Sequence, residues 1–237
     1  MNKIIIDLCG GTGAWSKPYK NAGYDVRNIT LPKYNILATK FTDNEIIFRK
    51  DHHNDNYRWI TEKKNIYGIL ATPPCTMFSL ARTKANKDRN LKEGMECVRA
   101  CLNIIWECME IKQDTKKKTL PLKFWALENP NGMLKYFLGK PAFQFDPYEF
   151  GDGYKKKTNV WGWFNEPKKK IGRIKVEVPY HSLNPKKMVK FDRLASREIH
   201  PEVFGKLTRQ ERRSITPAGF AKAFFEANND YDFNKLH

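Results

Sequence analysis

KIIIDLCGGTGA, residues 3–14, is the stretch that decides the fold. A run of isoleucines and leucine interrupted by one aspartate reads as a short buried strand, because a strand covered on both faces is apolar throughout rather than alternating. The strand runs straight into CGGTGA. Glycine there lets the backbone turn sharply and approach a ligand closely. The loop lacks the lysine and Ser/Thr ending of a phosphate cradle, which argues against a nucleoside triphosphate.

Working outward, a helix is expected from about Ser16 to Ala22, closing at Gly23. YDVRNIT (24–30) reads as a second strand, IIFR (46–49) as a third and NIYGILA (65–71) as a fourth that delivers the chain to Pro73. Leu91, Met95, Val98, Leu102, Ile105 and Met109 recur at helical spacing, so 90–113 is predicted to be a long amphipathic helix. LKFWALEN (122–129) is a fifth strand. Strands alternating with helices predict an α/β fold: a mainly parallel, Rossmann-like sheet with helices on both faces and its chemistry at the carboxyl ends of the strands.

After Phe164 the texture changes to prolines, lysines and short β-like runs such as RIKVEVPY (173–180). The expected organisation is a catalytic domain over 1–164, a small, basic, loop-rich recognition segment over 165–206, and a return of the chain to the catalytic domain over 207–237. LTRQERRSITPAGFAKAFFEAN (207–228) opens with a threonine cap signal and closes with a helix over 217–227.

Lys and Arg outnumber Asp and Glu by 43 to 26, a net charge of +17. Such an excess favours polyanionic partners, nucleic acid first and anionic membrane second. The runs Lys155, Lys156, Lys157 and Lys168, Lys169, Lys170 lie near Tyr154, Trp161, Trp163 and Phe164, which suits phosphate contacts beside stacking surfaces. The run at 116–118 reads as an exposed loop. No stretch approaches the apolar length of a membrane span, and the opening is too short for a signal-peptide core. A soluble cytoplasmic protein with no membrane partner is therefore expected. The five cysteines show no paired spacing, which argues against a disulfide framework. Cys97, Cys101 and Cys108 share an apolar helix face and read as buried small hydrophobes, so no metal is expected.

Two strand ends carry candidate chemistry. ATPPCTMFS (71–79) brackets Cys75 with two prolines, and ALENPNG (126–132) ends its strand with Glu128 beside a rigid Asn-Pro. The fourth and fifth strands are natural neighbours in a doubly wound sheet, so the thiol and the carboxyl should lie close together. Glu128 reads either as a proton donor to a ring nitrogen or as a turn residue.

In this order the three stretches resemble the DNA cytosine-5 methyltransferase family. DLCGGTG is similar to its first cofactor motif, PPC-x-x-F-S to its nucleophile motif and LENP to its catalytic glutamate motif; ITPAGFAKAFFEAN resembles its last motif. The resemblance implies a class I methyltransferase fold that takes S-adenosyl-L-methionine as cofactor and DNA as substrate. Cys75 would add to C6 of cytosine, with Glu128 acting at N3. Free thiols are only a few per cent ionised at neutral pH, but the thiolate is a strong nucleophile; the prolines would contribute through orientation. Asp7, Cys9, Gly11, Gly13, Thr30, Asp51 and Pro73 would lie at the cofactor, with Asn228 closing the pocket. A duplex target would have to leave the stack.

Several positions depart from the family pattern. Cys9 stands where an aromatic residue is common, and the second strand ends without the usual ribose-binding carboxylate; Asp43, Glu45 and Asp51 are available to replace it. YKKKTNVWG (154–162) replaces an arginine-rich strand, and lysine binds phosphate without the bidentate fork of arginine. The recognition segment is short, with Arg173, Arg193 and Arg197 as candidates for bidentate contacts to guanine. An RNA cytosine methyltransferase and a catalytically silent nucleic-acid-binding relative are the competing readings. Intact Cys75 and Glu128 weigh against silence. A restriction system, a mobile element or a virus would each suit such an enzyme.

Overall fold

Strand β1 (Ile4–Leu8) lies at the centre of the molecule, hydrogen-bonded on one side to β2 (Asp25–Ile29) and on the other to β6 (Ile66–Ala71), both parallel to it. The computed structural model describes residues 3–52, 58–80, 88–109, 122–152, 154–170 and 205–229. Around β1 runs a six-stranded sheet of order β2-β1-β6-β7-β9-β8. Strand β7 (Phe124–Pro130) is parallel to β6, while β9 (Thr158–Trp163) runs antiparallel to both β7 and β8 (Phe143–Phe145). One strand of six is reversed, so the α/β sheet is mixed but mostly parallel, which is consistent with a Rossmann-like arrangement.

Side chains of β1 alternate between two cores. Ile6 and Leu8 pack with Ile69, Leu127, Val98, Cys101, Ile104 and Ile105, the last four from α2 (Leu91–Met109). Ile5 packs on the opposite face with Leu70, Phe124, Trp15, Tyr19, Phe220 and Phe224. Tyr19 belongs to α1 (Lys17–Asn21), and the two phenylalanines to the C-terminal helix Ala218–Asn228. Helices thus cover both faces, and every central strand is buried. Phe145 and Phe220 stack with centroids 3.9 Å apart, fixing that helix over the sheet edge.

The third expected strand is a correction. IIFR belongs to β4 (Glu45–Arg49), which is not in the main sheet but at the centre of a three-stranded antiparallel sheet with β3 (Asn35–Phe41) and β5 (Arg58–Glu62). A parallel crossover needs a dozen or more residues, usually helical. Here the space after β2 is taken by β3, and a tight turn closed by Thr42 N–H donating to the Glu45 carbonyl returns the chain as a hairpin. This second sheet covers the same face as α2, through Ile36, Ile46 and Phe48.

After a short helix α3 (Lys135–Leu138) and a 3₁₀ turn at Pro147–Phe150, β9 ends and the chain folds back on the same body. Lys170 N–H donates to the Glu149 carbonyl, which ties the end of 165–170 to the 3₁₀ turn. Helix α4 (Arg209–Ser214) starts at the expected Thr208, whose hydroxyl accepts from Glu211 N–H while the Glu211 carboxylate reaches back to Thr208 N–H. Helix α5 is the Ala218–Asn228 segment. RIKVEVPY, the run at 116–118, Arg173, Arg193 and Arg197 lie outside the described residues. Among the described residues no helix is long and apolar enough to cross a membrane.

Candidate active site

Strand order reverses direction at β1: the chain moves outward one way to β2 and the other way to β6 and β7. In open α/β sheets such a switch point opens a crevice at the carboxyl ends of the strands, where ligands bind. Three of the sequence-selected loops meet there. The glycine-rich loop leaves β1, the Thr72–Ser79 loop leaves β6, and Glu128 and Asn129 lie in the last turns of β7.

Asp7 is fully buried beneath the glycine-rich loop, where its Oδ2 accepts from the Ser16 hydroxyl at 2.6 Å. Gly10 sits directly on this carboxyl: a Cβ there would come within 2.3 Å of the Asp7 Cγ. Burial raises the Asp7 pKa from 3.8 to about 6. Gly11 and Gly13 both have positive φ, +54° and +70°, and space is open around the position a Gly11 side chain would take. The carboxamide of Asn28, near the end of β2, donates to the Gly11 carbonyl and holds the loop. An open loop of bare backbone at the switch point fits a bound nucleoside-like cofactor.

Cys9 adopts a left-handed conformation, φ +56°, that glycine would take more easily. Its backbone ties β1 to both neighbours, donating to the Ile29 carbonyl and accepting from the Thr72 hydroxyl. Its thiol packs into the α2 core near Cys101. Cys9 therefore offers backbone, not a side chain, to anything bound above the loop. Burial pushes the neighbouring Cys97 thiol up to about 11 and the Cys108 thiol up to about 12. Both behave as apolar packing groups.

Thr30 directly follows β2, and its carbonyl accepts from Tyr34 N–H. Asp51 is two residues beyond Arg49, which pairs with Asn35 at the start of β3. Asn228 corrects an expectation. Its carboxamide accepts from Asn165 N–H and donates to the Asn165 and Phe224 carbonyls. Asn165 follows Trp163, which pairs with Trp125 at the start of β7. Asn228 is thus at the amino edge of the parallel strands, opposite Cys75, and closes no pocket there. The end of the C-terminal segment that does reach the carboxyl edge is its beginning, around Arg213 to Ala218.

Cys75 opens a turn in which its carbonyl accepts from Phe78 N–H and Ser79 N–H at 3.0 and 2.9 Å. Buried Pro73 is held from β7 by Asn129, whose Nδ2 donates to the Pro73 carbonyl at 3.0 Å. The turn also bridges to the loop after β7, where Met133 N–H donates to the Phe78 carbonyl and Ser79 pairs with Gly132. The Cys75 turn and the loop after β7 are locked together by backbone bonds. Glu128 is 7 % exposed, and burial raises its carboxyl above the ordinary 4.5. Burial likewise raises the Cys75 thiol above 9.0; Lys156 opposes this, Glu128 adds to it, and Arg213 opposes it.

Lys156 is the residue whose place the sequence misread. Its charge acts on both Cys75 and Glu128, opposing the rise in their pKa values, and its Nζ donates to the Arg213 carbonyl at 3.0 Å. It is half-buried, whereas Lys155 and Lys157 are exposed, so the three lysines are not equivalent. Lys155 is exposed over the Tyr148 ring and Lys157 is exposed beside it in sequence. In the second run Lys169 is committed to the Glu149 carboxylate and the Gln144 carbonyl, and Lys170 lies beside Asp152; Lys168 is exposed. Tyr154, expected as a stacking surface, is buried within the influence of Glu128, and Arg213, which acts on Cys75, was not expected at all. No protein-family model and no curated protein matches the chain.

Proposed function

We propose that the chain is a class I, S-adenosylmethionine-dependent methyltransferase acting on C5 of cytosine in DNA. The observation that carries this is the convergence of the Cys75 thiol, the Glu128 carboxyl and the Lys156 ammonium beside an open glycine-rich loop at the switch point. A nucleophile, a proton donor and a cation next to a backbone-lined ligand crevice form the set that conjugate addition to a pyrimidine needs.

Gly11, Gly13 and the backbone of Cys9 would hold the cofactor, with Asp7 and Asn28 shaping the loop from below. When bound, the cofactor supplies an electrophilic methyl group. Cys75 gives its proton to water, and its sulfur forms a bond to C6 of the ring. The electron pair displaced from the C5–C6 bond is accommodated as N3 takes the Glu128 proton. That proton is available because burial keeps Glu128 protonated above the usual carboxylate range. Once C5 carries the methyl group, water removes the C5 proton, the S–C6 bond breaks, and the N3 proton returns to Glu128. Lys156 favours the thiolate that makes the first bond. The fixed turn holds the sulfur at one approach angle, and such orientation is a major source of rate.

DNA is the proposed substrate because the chain carries +17 and because Lys155 and Lys157 are exposed on the segment leading into the site. The test is methyl transfer from labelled cofactor to DNA and to RNA, side by side. Labelled 5-methylcytosine in DNA is the expected product. Label in RNA alone would replace the substrate, and label in neither would remove the enzymatic reading.

A further inference from the structure

We infer that Arg89 is a positioning residue for the nucleophile, pinning the Cys75 turn through its Met77 and Ser79 carbonyls. This rests on the reading of Cys75 as the reactive group. Arg89 stands just before α2, and its guanidinium reaches back to the turn ten to twelve residues earlier. Nη1 donates to the Met77 carbonyl at 2.6 Å and to the Ser79 carbonyl at 3.3 Å, and Nη2 donates to Ser79 at 3.3 Å. These two carbonyls belong to the turn whose N–H groups converge on the Cys75 carbonyl. The turn is therefore held by its own N–H groups, by the loop after β7 and by the Arg89 guanidinium.

An independent contact shows how closely α2 abuts this turn. A Cβ on Gly94 would come within 2.7 Å of the Met77 Cβ and 3.1 Å of the Phe78 ring. Asn90 caps the helix at this point, its side chain accepting from Glu93 N–H and its carbonyl from Gly94 N–H. The first turn of α2, Arg89 and the Cys75 turn form one packed unit. A planar guanidinium can serve two carbonyls in fixed directions, which a lysine ammonium does less rigidly. Asn129 and Arg89 thus clamp opposite ends of the nucleophile loop, at Pro73 and at Met77–Ser79. Releasing one end leaves the fold intact and the sulfur free to wander.

The test compares the full chain with Arg89→Met, which keeps the stem, and Arg89→Lys, which keeps the charge. Two rates are read. One is alkylation of each cysteine by iodoacetamide, followed by peptide mass; the other is covalent capture of DNA carrying 5-fluorocytosine. Local opening should raise Cys75 alkylation in Arg89→Met by about 5-fold or more, while buried Cys101 and Cys108 react as in the wild type. Capture should slow by about 10- to 100-fold, since a misplacement of about 1 Å can have that effect. Arg89→Lys should fall between. Unchanged alkylation of Cys75 would overturn the inference, as would faster alkylation with unchanged capture. Cys101 and Cys108 reacting in step with Cys75 would show a general loosening and overturn it too. If the wild type captures no DNA, the proposed function fails, and alkylation alone then decides whether Arg89 pins the turn.

Discussion

Replacing Asp7 by Asn should make the protein less sensitive to pH, by an amount the structure sets. Asp7 is fully buried, and burial outweighs its hydrogen bond from Ser16, raising its pKa from 3.8 to about 6. Well below pH 4 the carboxyl is protonated in both the folded and unfolded chain and costs nothing. Between about pH 4 and 6 the unfolded chain releases the proton while the folded chain keeps it, so stability falls as pH rises. Above pH 6 the loss is complete. Each pKa unit is worth about 1.4 kcal/mol, so the whole loss is about 3 kcal/mol. Asn has nearly the same shape and no charge to desolvate. Glu128, Asp146 and Asp152 also have raised pKa values, but they are present in both proteins and cancel in the difference. The assay is urea unfolding of wild type and Asp7→Asn at intervals from pH 4 to 8. The stability difference should shift in favour of the variant by about 2.5 kcal/mol between pH 4 and 7, the rest of the loss falling below pH 4. Parallel curves for the two proteins would refute the reasoning and place the Asp7 carboxylate in contact with water or an unrecognised cation.

Glu128→Gln removes the ionisable proton while keeping the shape, and methyl transfer should fall by about 10²–10⁴ without loss of fold, measured by single-turnover kinetics. In the wild type the rate should decline as pH rises through the raised Glu128 pKa, and the variant should lack that decline. Lys155→Ala with Lys157→Ala should flatten the slope of log K against log salt for duplex DNA by about two, near 0.9 per lost phosphate contact. The weakening should be similar for all sequences, because phosphate contacts carry no base readout. An unchanged slope would make these lysines solvated surface. Lys156 is left in place in that experiment because its charge acts on Cys75 and Glu128.

The central strands were legible because buried parallel strands are unbroken apolar runs, and β1, β6 and β7 end in Gly-rich or Pro-containing segments that the eye can find. The same logic misplaced IIFR. An apolar run says that a strand is buried, not which sheet it joins, and its antiparallel partners NILATKF and RWITE mix polar residues among apolar ones. Strand β8 has three residues, too few for any periodicity. At the site, Cys75 and Glu128 stood out through the rigid residues beside them. Lys156 did not, since one lysine among three in a row carries no mark of the direction its side chain takes. Arg89 and Arg213 act through backbone carbonyls and long-range placement, which sequence spacing does not encode. Asn228 was misread because a buried carboxamide bonded to a residue 63 positions away looks, in sequence, like any helix-terminal asparagine.

The most direct measurement of the central claim is covalent capture. The wild-type chain and cofactor are incubated with random-sequence DNA, duplex and single-stranded, in which 5-fluorocytosine replaces cytosine. Fluorine cannot leave C5 as a cation, so the last step stops with sulfur still bonded to C6. The expected result is a chain–DNA adduct stable on a denaturing gel, carrying one added methyl group and mapping to the Cys75 peptide. Cys75→Ala should form none. Methylation of ordinary cytosine DNA by Cys75→Ala, or an adduct that maps to Cys9 or Cys97, would contradict it.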